Sequence, residues 1–95
     1  MTAYLISEID VTDPKAYEPY KTAASAAIAR HGGKYIVRGG KTLSLEGAPP
    51  KRMIVLEFPD IEAAKRFHES AEYQAAIPLR KKASANSRLF VVEGQ

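Results

Sequence analysis

Between Arg52 and Phe58 the chain reads RMIVLEF, a run with apolar side chains at both odd and even positions. A β-strand points successive side chains to opposite faces, so Ile54, Leu56 and Phe58 share one face while Met53 and Val55 share the other. Any sheet that holds this strand needs cover on both sides. The run RLFVVE, Arg88 to Glu93, makes the same demand, with Phe90 and Val92 opposite Leu89 and Val91.

The other segments decide what can supply that cover. Residues 3–11, AYLISEIDV, alternate so that Leu5, Ser7, Ile9 and Val11 face one way and Tyr4, Ile6, Glu8 and Asp10 the other. Thr12-Asp13-Pro14 then offers a helix cap with proline at the first helical position. The alanine-rich stretch that follows is expected to be helical to Arg30, with Pro19 kinking its early turns, and His31-Gly32-Gly33 ends it.

Lys34 to Arg38 opens a second strand. Beyond Gly39-Gly40 the alternation resumes, with Leu43 and Leu45 against Thr42, Ser44 and Glu46. The pair of glycines is therefore expected to form a bulge in one continuing strand, which a turn over 47–50 joins to the third. After Pro59, Asp60 caps a helix with Glu62 in its first turn, and Ser70 caps another whose inward residues include Tyr73 and Ile77.

The order is βαββαβ, which is the ferredoxin-like split βαβ plan, an α+β fold with a four-stranded antiparallel sheet. Its helices cover one face. The other, bearing Ile6, Met53 and Val55, would expose a larger apolar patch than monomers usually carry. Two such sheets are expected to pack face to face in a homodimer.

Composition removes several classes of function. The 95 residues, 45% hydrophobic and 26% charged, make one domain spanning 1–95. With no cysteine there is no disulfide, thiolate nucleophile or thiolate zinc site. The opening MTAYLISEIDV lacks the basic start and long apolar run of a signal peptide, so the expected location is cytoplasmic, with no membrane partner. A net charge of +3 is spread among acidic residues and reads as a solvated surface. Nucleic acid is not an expected partner, because the third strand has aliphatic residues where an RNA-recognition sheet would place stacking rings. No phosphate-cradling loop, nucleophile elbow or nucleotide fingerprint occurs, and neither a metal nor another cofactor is expected.

The segments GGKYIVRGG, LEG, VLEF, and SAEYQ followed by LR resemble the bacterial family called domain of unknown function 1330 along nearly the whole chain. That resemblance implies a dimeric α/β barrel, whose relatives include cofactor-free monooxygenases, isomerases and stress-response proteins. It implies no particular reaction.

Among candidate site residues, Arg38 and Glu57 stand first. On adjacent strands they are expected to pair on the dimer-facing surface, where Glu57 follows Met53 and Val55 at period two. A carboxylate desolvated there either acts in proton transfer or holds a structural ion pair with Arg38. Tyr17 and Tyr20, three apart on the first helix, would line a ligand pocket with Tyr73 or simply pack in the core. Arg80 is placed to reach an anion, and His68 to sit near a cleft. His31 and His68 are too far apart in sequence to indicate a metal site by spacing. The function expected from these residues is that of a cofactor-free small-molecule enzyme, isomerase or monooxygenase in type; the alternative is a non-catalytic binding or stress-response module.

Overall fold

A computed structural model describes all 95 residues, Met1–Gln95. The elements are β1 (Ala3–Val11), α1 (Pro14–Arg30), β2 (Lys34–Arg38), β3 (Arg52–Phe58), α2 (Ile61–Glu69), α3 (Ala71–Ala83) and β4 (Ser84–Glu93). The strands form one antiparallel sheet in the order β2-β3-β1-β4. This is the ferredoxin-like arrangement expected from the sequence.

Short-range chemistry accounts for the helix boundaries. The Asp13 carboxylate accepts from the Ala16 N–H at 3.1 Å, Asp60 from the Ala63 N–H at 2.8 Å, and the Ser70 hydroxyl from the Tyr73 N–H at 3.2 Å. Each cap satisfies a donor that the first helical turn leaves free. At the end of α1, Gly32 takes the left-handed conformation (φ 77°), and Gly33 lies so close beneath Phe58 that a Cβ there would sit 2.8 Å from the ring. The glycine pair therefore serves both the turn and the packing.

All three helices lie on one face of the sheet. Leu5, Ile9, Leu56 and Phe58 point into it and meet Tyr17, Ala24, Ala27, Ile28, Ala64, Phe67, Tyr73 and Ala76 in one core. Small residues along α1 let the helix approach closely. An aromatic chain runs through this core, with ring centroids 5.2 Å apart for Tyr17–Tyr20, 6.2 Å for Tyr20–Tyr73, 4.7 Å for Tyr73–Phe67 and 5.4 Å for Phe67–Phe58.

The opposite face carries Tyr4, Ile6, Glu8, Met53, Val55, Glu57, Phe90 and Val92, as the cross-strand register requires. No helix covers it, and Phe90 and Val92 are 39% and 46% exposed.

The second strand departs from expectation. It ends at Arg38, and residues 39–51 form no further strand and no hairpin turn with β3. Gly39 is in the left-handed region (φ 64°), its N–H donates to the Met53 carbonyl at 2.9 Å, and a Cβ there would collide with the Arg52 guanidinium. Glycine at 39 thus stops the strand and makes room for an arginine. With no partner strand to pair against, Leu43 and Leu45 stand 83% and 86% exposed.

The bulge in β2 falls earlier. Lys34 lies opposite Glu57 and Tyr35 opposite Leu56, but Val37 rather than Ile36 lies opposite Val55, which puts Arg38 opposite Ile54. One extra residue inverts the facing of everything after it. A second irregularity sits in the β1–β4 pairing between Glu8 and Asp10, near Asn86, whose φ is 55°.

Candidate functional site

The bulge at Ile36 corrects the expectation that Arg38 and Glu57 pair. An uninterrupted register would put Arg38 opposite Met53, on the open face with Glu57. The extra residue moves it to the helix-covered face, where its Nη2 donates to the Ser25 hydroxyl at 3.1 Å and its guanidinium lies 4.3 Å from the Tyr35 ring centroid. Glu57 stays on the other face between Tyr4 and Lys34, beside a shallow depression that includes Thr2, Gly32 and Pro59. The sheet separates the two residues.

The structure instead gathers a different set between α1, α3 and the sheet. There Leu5, Ile54, Leu56 and Phe67 form the apolar walls of a chamber of about 30 Å³, closed on the helix side by Tyr17, Tyr20 and Tyr73. Ser7 and Arg38 also face it. The chamber opens into a wider mouth of about 320 Å³ lined by Pro14, Glu18, Gly39 and Lys51. Tyr17, Lys21 and Arg52 belong to both.

Behind the tyrosines lies Arg80, only 6% exposed. Its Nη1 donates to the Tyr73 hydroxyl at 2.7 Å, and that hydroxyl shares a 2.7 Å hydrogen bond with Tyr20. The guanidinium carbon lies 6.0 Å from the Tyr20 ring centroid. No carboxylate comes within ion-pair distance; the four ion pairs of the chain are Lys21–Glu18, Arg30–Glu72, His31–Glu72 and Arg88–Glu8. Arg80 is a buried cation without an anion, and its Nε has no hydrogen-bond partner.

Burial decides the state of the phenols. Loss of solvent pushes the Tyr17 hydroxyl up to about 12 and raises Tyr20 and Tyr73 as well, although Arg80 pulls all three the other way. All three are neutral donors at neutral pH. The mouth has an ordered rim, since the exposed Asp10 carboxylate accepts from the Lys51 N–H at 3.1 Å and from Asn86 Nδ2 at 3.2 Å. Those two bonds hold its pKa below the usual carboxylate value.

Of the residues singled out in the sequence, Tyr17, Tyr20, Tyr73 and Arg38 line the chamber, and Arg80 stands behind Tyr73. His68 does not line the chamber. It packs on the outer side of Tyr73, centroids 5.4 Å apart, and faces a separate groove with Ala64, Leu89 and Phe90. His31 contacts Phe67 and approaches Glu72 at 3.6 Å, tying the end of α1 to the start of α3. No group of three His, Cys, Asp or Glu side chains that could hold a metal ion occurs, and no helix is long and apolar enough to cross a membrane.

Two site residues escaped notice, though the pattern contained them. Ser7 sits at an inward position of the alternating first strand, and Arg52 precedes Ile54, Leu56 and Phe58 at period two. Polar residues in register with an apolar face are the signal.

Fold and site together define a small α+β protein of the ferredoxin-like class with an apolar-walled chamber, closed by three tyrosines, between sheet and helices. The family model for a domain of unknown function (DUF1330) matches residues 2–95, and the chain belongs to that family. Compared with curated proteins, it has no match. Among solved structures it is similar to RPA0582, a protein of unknown function from Rhodopseudomonas palustris. The TM-score is 0.82 at 20% identity, covering 99% of this chain and 82% of that one. It is also similar to SnoaB, a cofactor-independent oxygenase from Streptomyces nogalater, with TM-score 0.71, 14% identity and coverage of 99% and 93%. A third is a dimeric ferredoxin-like protein of unknown function from Thermobifida fusca, with TM-score 0.68, 16% identity and coverage of 97% and 90%.

Proposed function

We propose that the protein is a cofactor-free small-molecule enzyme working as a homodimer, with its site in the chamber behind Tyr17, Tyr20 and Tyr73. Arg80 carries this reading. Burying a guanidinium without a carboxylate costs several kcal/mol in a fold stable by roughly 5–15 kcal/mol, so a packed core has no use for it. Here the charge is spent on a hydroxyl chain, Arg80 to Tyr73 to Tyr20, that ends at the chamber.

Donors aligned before a ligand arrives, in a space that excludes water, stabilise negative charge as it develops on an oxygen. When a base takes the proton next to a ligand's carbonyl, the electron pair of the broken C–H bond moves onto the carbonyl oxygen, where a neutral phenol can donate to it. Isomerisation then returns the proton to another carbon of the same ligand, and oxygenation uses dioxygen as the oxidant of the carbanion. The fold shared with a cofactor-independent oxygenase supports this class without naming the reaction. The homodimer is supported by the uncovered apolar face and by relatives of the same fold described as dimeric.

Native mass spectrometry of the protein purified from cells tests both parts. The expected result is a dimer mass with a retained small molecule, which Arg80→Met and Tyr73→Phe no longer hold or no longer convert. Conversion lost in both variants while the dimer persists supports the enzyme. Retention without conversion makes the protein a binding module, and a monomer mass at micromolar concentration overturns the homodimer.

A further inference from the structure

The mouth of the chamber has a charge pattern that the donor chain does not explain. Of its cations, Lys21 is neutralised by Glu18 at 3.1 Å. Lys51 and Arg52 take part in none of the four ion pairs, and neither does Arg38, which lines the chamber just inside. The two arginines lie on the helix-covered face of adjacent strands, Arg38 opposite Ile54 and Arg52 two residues before it. The Arg52 Nε is buried with no hydrogen-bond partner, while its guanidinium rests over Gly39 and lies 5.8 Å from the Tyr17 ring centroid.

A second observation comes from the chamber floor. Ser7 is 4% exposed, and its hydroxyl, which faces the same chamber, has no hydrogen-bond partner. A buried hydroxyl left without a partner costs about 1–3 kcal/mol, which a ligand's polar atom would offset. Guanidinium groups without an anion therefore stand at the mouth (Arg52) and on the chamber wall (Arg38), a free hydroxyl lies deeper, and apolar walls run between them.

We infer that the site takes a small organic monoanion, its carboxylate or acidic phenol held by Arg52, where mouth and chamber meet, and by Arg38 on the chamber wall, and its apolar body directed toward Leu5, Ile54 and Leu56. Guanidinium forks match the two oxygens of a carboxylate, which an ammonium does not. The mouth lies within the size range of small-molecule sites, roughly 300–1,000 Å³. Ser7 then selects ligands with a hydrogen-bonding atom at the far end. Neutral compounds of the same shape leave both arginines unpaired and bind less well. This inference names the ligand class for the chamber and rests on the reading that the chamber is the site.

The test uses benzoate and its neutral isostere benzamide, titrated into the full-length protein at low salt and followed by amide chemical shifts around Tyr17, Tyr20 and Ala24. Benzoate is expected to bind at least tenfold tighter than benzamide. Arg52→Gln should abolish that preference, and Arg38→Gln should reduce it should Arg52→Gln fail to fold. Lys34→Gln, on the far face, should leave it intact. Equal binding of the two probes overturns the anion assignment and leaves the chamber standing. The absence of shifts at the chamber with either probe overturns both, and a preference that survives both arginine variants overturns the assignment of the mouth.

Discussion

The two faces of the sheet are built from the same alternating strands and reach opposite ends. On the covered face, Leu5, Ile9, Leu56 and Phe58 are almost fully buried, yet that face also holds Arg80, Arg52 and Ser7 with polar atoms left unpartnered. On the open face Glu8 approaches Arg88 at 3.9 Å, while Phe90 and Val92 remain 39% and 46% exposed. One face has spent its apolar surface and carries polar cost; the other carries apolar surface still to be covered. The first pattern is the one on which the proposed site rests and the second the one on which the proposed interface rests.

Substitutions separate the two. The largest effect is expected from Phe58→Ala on the covered face, a loss of about 3–5 kcal/mol in folding stability, read from urea unfolding. A loss below about 1 kcal/mol would mean that the core closes over the gap and that the covered face is less tightly determined than its burial implies. Val55→Lys on the open face should instead leave secondary structure unchanged by circular dichroism. Its effect is expected in sedimentation, as a dimer dissociation constant raised at least a hundredfold, because a charge would have to be desolvated between the sheets. An unchanged dimer would place the interface elsewhere.

Alkaline titration sharpens the contrast. The folded-state pKa values of Tyr17, Tyr20 and Tyr73 are raised, so above pH 10 the folded chain keeps protons that the unfolded chain releases. Their contribution is complete below pH 10 and is lost as pH rises toward 12, by up to about 1.4 kcal/mol per pH unit for each tyrosine. Tyr17→Phe should flatten that decline in urea unfolding at stepped pH. A slope that the variant shares with the parent would mean that Tyr17 ionises freely in the folded chain.

Arg80→Met is expected to leave stability unchanged or raise it by up to about 2 kcal/mol, because it removes an uncompensated buried charge of similar volume. A loss beyond 2 kcal/mol would make Arg80 a structural residue. The smallest change is Asp60→Ala, expected to cost about 1 kcal/mol through the lost Ala63 N–H bond, with neither ligand binding nor dimer mass affected.

Much of the fold was legible in local signals. Asp13, Asp60 and Ser70 announce helix starts because a side-chain oxygen three residues upstream meets a free backbone N–H. The alternation of β1 and the two-sided apolar pattern of β3 and β4 identify strands and the uncovered face. The site was legible only in part. Tyr17 and Tyr73 were found from their places on the helices and Arg80 as a cation of the last helical turns able to reach inward, whereas the pairing of Arg38 with Glu57 assumed a register that β2 does not keep.

The chain's own residues thus determine the order of elements, the helix caps and the need for cover on both sides of the sheet, because each rests on interactions within a few positions or on a simple period. Tertiary structure alone decided that the register slips at Ile36, that β2 stops where Gly39 meets the Arg52 guanidinium, and that Arg80 is buried beside Tyr73 without a carboxylate. Those outcomes depend on which strands and helices come together, and a single inserted residue in a strand reverses which face its side chains see.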